Sequence, residues 1–232
     1  MTAQLFRDDA YLRSCDARVV HVGPDGIRLD RTVFYPNGGG QPGDTGVLRR
    51  EDGSVVTIVN TVKAPVESEV LHLAAPELAV GEMVSAEIDW ARRHRHMRYH
   101  TALHLLCAAV PAPVTGGQIS EDKARLDFDI DMALLDRDAI EAKVNALIDA
   151  GHPVSTRWVE DAELDANPGL IRTMSVAPPR GQGVVRLVDV DGVDLQPCGG
   201  THVRNTAEIG RFSVQKIRSE GWQNKRVIIV LE

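Results

Sequence analysis

Aromatic residues are scarce in this chain of 232 residues, at 4%. The core must therefore be built from Val, Leu, Ile and Ala, and no interleaved ring platform for stacking bases stands out. Cysteine is scarce too. Three residues, with no Cys-x-x-Cys, argue against a disulfide framework and point to a reduced, cytoplasmic protein. Apolar runs are short, Val227 to Leu231 among the longest, far below the roughly 20 residues that cross a bilayer. Met1 to Asp9 carries acids and lacks an apolar stretch, so neither a secretory nor a transit leader is expected. A basic excess is also missing. At a net charge of −7, a polyanion could be held only by a local patch. The Gly-Lys-Ser/Thr ending of a phosphate loop is lacking as well, so no ATP site is expected.

What is present reads as an ordinary globular composition, 43% hydrophobic and 25% charged. From Cys15 to about Trp90 the pattern is β. Arg18 to Val22 and Gly26 to Val33 flank the turn Gly23-Pro24-Asp25-Gly26, and Ser54 to Val62, Glu67 to Leu73 and Glu82 to Ile88 continue the series. Such strands predict a small barrel-like domain. A glycine-rich loop lies within it, Thr32-Val33-Phe34-Tyr35-Pro36-Asn37-Gly38-Gly39-Gly40-Gln41-Pro42-Gly43-Asp44. It reads either as a turn between strands or, stiffened by proline on both sides, as a ligand-facing loop. Ala91 to Ala109 predicts a helix entered through Asp89. After a loop containing Gly116-Gly117-Gln118 come strands over 124–130, 154–159, 184–190, 210–217 and 226–231. A helix over 137–149, a turn of helix over 161–166 and a break at Asn167-Pro168-Gly169 complete the pattern. Strands and helices without a βαβ rhythm predict an α+β fold. A break at Trp90 gives a β-rich domain over 1–90 and a mixed α+β domain over 91–232.

Two pairs of donors carry the chemistry. His100 and His104 are four apart on one side of the predicted helix, at the margin of its apolar face. Cys198 and His202 have the same spacing around Gly199 and Gly200, whose backbones can fold tightly about a bound atom. Cys and His ligands brought together as two local pairs are what zinc takes in a tetrahedron. His96 and Cys107 on the same helix leave other pairings open. The His-Glu-x-x-His of zinc proteases is excluded, because position 101 is Thr. The run Arg92-Arg93-His94-Arg95-His96-Met97-Arg98 is either a solvated face or a phosphate patch.

His100-Thr101-Ala102-Leu103-His104-Leu105-Leu106 with Cys198-Gly199-Gly200-Thr201-His202-Val203 resembles the editing domain of alanyl-tRNA synthetases and the stand-alone alanyl-tRNA editing proteins. Arg125-Leu126-Asp127-Phe128 adds a weaker match. Thr32 to Asp44 resembles the preceding segment of the longer editors, so the likeness runs from about Thr32 to Val230. It implies a threonyl/alanyl-type editing fold with zinc on His100, His104, Cys198 and His202 as both metal and catalytic centre. It also implies hydrolysis of mischarged tRNA(Ala) at its acceptor end, acting in trans without an aminoacylation domain. The N-terminal glycine motif implies the medium-length subtype, which removes serine. Thr32 and the amides of Gly38, Gly39 and Gly40, with Gln118 as a weaker candidate, would contact the substrate. Arg92, Arg93, Arg95 and Arg98 would meet acceptor-stem phosphates.

Overall fold

The structure is a computed structural model that describes residues 1–65, 68–75, 77–166 and 183–232. The expectations placed on Glu67 and on Asn167-Pro168-Gly169 lie outside those residues. The chain forms two compact units, Met1–His96 and Met97–Glu232.

The first unit is β throughout, apart from one 3-10 turn and the start of a helix. Its strands are β1 (Ala3–Gln4), β2 (Ser14–Gly23), β3 (Gly26–Leu29), β4 (Arg31–Thr32), β5 (Gly46–Arg49), β6 (Val55–Ile58), β7 (Asn60–Lys63), β8 (Val70–Leu73) and β9 (Met83–Ile88). Seven of them make one antiparallel sheet in the order β6-β5-β9-β2-β3-β8-β7. Alternation turns Val19, Ile27, Leu29, Leu48, Ile58, Val84 and Ala86 onto one buried core with Phe34. The stretch Ser54 to Val62 is two strands rather than one. Val59 breaks it because β6 pairs with β5 whereas β7 pairs with β8. The two ends of the sheet are thus one residue apart in the chain. No ladder joins them among the described residues, so the sheet curls back without the barrel closure expected from its strand spacing.

The glycine-rich segment closes on itself. Gly38 and Gln41 exchange backbone hydrogen bonds of 3.1 and 3.0 Å, with Gly39 and Gly40 at positive φ in the turn between them. Its base is pinned by Asp44. The Tyr35 amide donates to the Asp44 carboxylate at 2.6 Å, and Asp44 receives Nε of Arg93 at 3.0 and 3.1 Å. The same guanidinium donates to the carbonyls of Ala10 and Val33. Both partners are essentially inaccessible to water, at 0% and 1% side-chain exposure.

The helix α1 spans Trp90–Ala109, begun by the Asp89 carboxylate accepting from the Arg92 amide at 3.1 Å. The second unit continues with β10 (Val114–Ile119), β11 (Ala124–Phe128), α2 (Arg137–Asp149), β12 (Val154–Glu160), α3 (Asp161–Ala166), β13 (Val184–Val190), β14 (Asp194–Pro197), β15 (Phe212–Ser219) and β16 (Lys225–Leu231). They form a four-stranded sheet, β10-β11-β16-β15, and a three-stranded one, β12-β13-β14. The fold is mixed α+β. The segment with Gly116-Gly117-Gln118 is strand β10 and not a loop, held in register by β11. A side chain at Gly117 would press Leu126 at 2.9 Å. The outer strand β15 is covered by α2. Asn145 both donates to and accepts from the Phe212 backbone, at 2.9 and 3.1 Å, and Glu141 accepts from the Val214 amide at 2.7 Å.

Because Asp44 and Arg93 are both buried, removing either one strands the other's charge. Asp44→Ala and Arg93→Ala should each lower unfolding free energy in urea titrations by about 3–5 kcal/mol. Their double-mutant cycle should show strong coupling.

Candidate metal centre

The second unit brings the two predicted pairs together. His100, His104, Cys198 and His202 place their donor atoms within 4.8 Å of one another. The helical spacing of α1 stacks the first two, and both are buried although they were expected at the margin of the apolar face. The other pair follows β14 directly. The Cys198 amide donates to the Arg186 carbonyl at 3.1 Å, and Arg186 returns Nη1 to the carbonyls of Cys198 and Gly200, each at 2.9 Å. With its carbonyls drawn toward Arg186, the loop offers the Gly200 amide to the Cys198 sulfur at 3.4 Å. His96 and Cys107 are not members of the cluster.

The donor set fits a tetrahedral zinc. With Zn–S near 2.3 Å and Zn–N near 2.0–2.1 Å, sulfur and nitrogen donors stand about 3.5 Å apart. Cys198 Sγ lies 3.5 Å from His100 Nε2 and 3.3 Å from His202 Nε2. The electrostatics favour the ligating form at Cys198 and His202, whereas His104 must give up a proton. Burial pushes the Cys198 thiol up, but the imidazoles of His100 and His202 outweigh it and hold the group well below its ordinary value. Burial, reinforced by His100, pushes His202 down to about 3 and keeps its ring neutral. Burial also opposes charge on His104, yet its hydrogen bond to Asp194 and the neighbouring sulfur raise it to about 9. A thiolate and neutral imidazole nitrogens are the forms that ligate metal.

The other predicted residues are dispersed. Thr32 is buried in the first unit, where its hydroxyl bonds His72 Nε2 at 2.8 Å and accepts from the Phe34 amide at 3.0 Å. His72 Nδ1 meets the Ile27 carbonyl, and burial lowers this histidine to about 4. Gly38, Gly39 and Gly40 form the tight turn described above. Gln118 is exposed on β10 and accepts from Arg125 at 3.3 and 3.4 Å. Of the four arginines, Arg95 is exposed, whereas Arg93 is enclosed with Asp44. Arg92 donates to the Gly43 carbonyl and Arg98 to that of Ile209. Sequence reading passed over Thr101, Arg186, Asp194 and Gln196, all buried. A signal was available for two of them. Asp194 and Gln196 are polar residues at period 2 in a short strand that runs straight into Cys198.

Known proteins are similar to this chain along its whole length. A profile for the threonyl and alanyl tRNA synthetase second additional domain matches residues 185–228, and one for class II (A) tRNA synthetases matches residues 8–92. An alanyl-tRNA editing protein AlaX-M of Methanosarcina acetivorans is 37% identical over 100% of this chain and 99% of its own length. The chain belongs to the alanyl-tRNA editing family. A second AlaX-M member, from Saccharolobus solfataricus, is 34% identical with 98% of each chain covered. The alanine–tRNA ligase of Pyrococcus furiosus aligns at 36% identity with 96% of this editing-family chain, which spans 25% of the ligase.

Purified protein should carry about one zinc per chain. The metal should be lost in His104→Ala and kept in His96→Ala, as read by atomic absorption. Since His104 holds a proton below about pH 9, zinc must displace it. Affinity measured by chelator competition should therefore rise with pH up to about 9, by as much as about tenfold per unit.

Proposed function

We propose that this protein is a trans-acting, zinc-dependent aminoacyl-tRNA deacylase. It would hydrolyse mischarged tRNA(Ala), chiefly Ser-tRNA(Ala), with Gly-tRNA(Ala) as a second substrate. The observation that carries this reading is the buried three-histidine, one-cysteine cluster in a chain that aligns end to end with AlaX-M editing proteins. A pocket built for alanine cannot fully refuse the smaller glycine or the slightly larger serine, which gives a second, hydrolytic sieve its purpose. The bond to be broken is the ester between the amino acid and the terminal ribose. Such an ester is labile, so a well-placed water goes far toward hydrolysis. His100, His104, Cys198 and His202 would hold the zinc. When bound, it supplies Lewis-acid polarisation of a carbonyl or acidifies a water.

Recognition is assigned to the chain's own groups. Neutral His72 gives its Nδ1 proton to Ile27, so its Nε2 takes the Thr32 hydroxyl proton and leaves that oxygen able only to accept. A serine hydroxyl can donate to such an oxygen and an alanine methyl cannot. We assign serine preference to the N-terminal unit on this basis, with the amides of Gly39 and Gly40 as further donors, that of Gly38 being taken by the Gln41 carbonyl. Gln118 stands as a secondary contact. Arg95 is the best placed of the four arginines for phosphate, with Arg92 and Arg98 supporting it.

A closed set of four protein donors also favours a second reading, a zinc-stapled tRNA-binding module without turnover, because catalytic zinc normally keeps a position open. A deacylation assay with Ser-, Gly- and Ala-tRNA(Ala) separates the two. Ser-tRNA(Ala) should be cleared fastest, Cys198→Ala should reduce the rate at least about 100-fold, and Thr32→Val should narrow the serine-over-alanine ratio. Binding without turnover would establish the rival. The rate constant should drop steeply between low and moderate salt if phosphates are gripped, and a flat profile would remove the arginines from the account.

A further inference from the structure

Asp194 stands behind one histidine of the cluster and is not one of its four donors. Its Oδ2 lies 2.8 Å from His104 Nδ1, and its side chain is fully buried. Gln196, two residues along β14 on the same face, donates Nε2 to that same oxygen at 2.8 Å and fixes the carboxylate in place. A carboxylate accepts, so the proton of this contact belongs to Nδ1 of His104, and once the ring is neutral Nε2 is left with its lone pair facing the cluster. The same orientation recurs at His202 by a different route. The Thr101 hydroxyl gives its proton to the Met97 carbonyl at 3.0 Å and lies 3.2 Å from His202 Nδ1, again turning Nε2 inward.

We propose that Asp194 is a positioning residue that makes His104 the anchoring ligand of the metal centre, by fixing its tautomer and ring plane and adding negative charge behind it. A carboxylate behind a ligating imidazole raises the ligand's basicity, and its loss typically costs 10–100-fold in metal affinity.

The inference rests on the metal reading of the site, and the test keeps the two apart. Zinc affinity would be measured by chelator competition for wild type, Asp194→Asn and Asp194→Ala, with the metal-free unfolding midpoint recorded for each. Asn keeps an acceptor for Nδ1 but removes the charge, and should weaken binding about tenfold. Ala removes both and should weaken it about 100-fold. In cobalt-substituted protein, the visible bands of the tetrahedral site should shift in both variants, which a merely structural residue would not cause. If wild type takes up no zinc, the metal reading and this inference fall together. If wild type binds zinc and Asp194→Asn binds it equally well with an unchanged cobalt spectrum, the role of Asp194 alone is refuted. Should Asp194→Ala fail to fold, the Asn variant still decides the matter.

Discussion

Three imidazoles and a thiol packed into one buried cluster form the constraint on which the second unit depends. Groups of this kind gain little from each other's company. Burial penalises their charge and, with His100, pushes His202 down, whereas the hydrogen bond to Asp194 and the Cys198 sulfur raise His104. A chain under selection for stability alone would fill such a space with Leu and Val, which pack without polar debts. The surrounding structure instead spends its ordering on the cluster. A helix delivers two rings one turn apart, and a clamped loop delivers the sulfur with an amide aimed at it.

The clamp explains why a short loop can be so definite. Arg186 holds two carbonyls of the loop, and its own strand carbonyl takes the Cys198 amide. The residue therefore bonds the loop at three points while sitting on the neighbouring strand. In the first unit Arg93 plays a comparable part, gathering Asp44 and two distant carbonyls around the base of the glycine turn. In both cases a planar cation with several donors replaces a stretch of regular pairing, a task that suits Arg and not Lys.

Much of this is legible in the sequence itself. The i, i+4 spacing of both donor pairs, the N-cap at Asp89 and the helix over Arg137–Asp149 depend on local periodicity, and the sequence shows local periodicity directly. What escaped depends on partners far along the chain. β10 carries two glycines and reads as loop until β11 supplies its register. The division at Val59 reflects a change of neighbouring strand and nothing in the residues themselves. Arg93 looked like one member of a basic run, since no local pattern marks which arginine of four meets a carboxylate 49 positions earlier. Asp194 was hidden for a related reason. Its alternation with Gln196 marks it as inward-facing, but its role appears only when His104 is brought against it.

The cover that α2 gives to β15 has a consequence for how the chain behaves when crowded. A bare edge strand is a template on which another chain can add itself. Here Asn145 and Glu141 occupy backbone groups of Phe212 and Val214 that such an intruder would need. The amide of Asn145 copies both halves of a peptide group, so the helix presents something like one residue of a missing strand. Solubility is therefore tied to a buried side chain far from any chemistry. Loss of that amide would show first as self-association through the sheet edge, while the histidine and cysteine cluster remained in place.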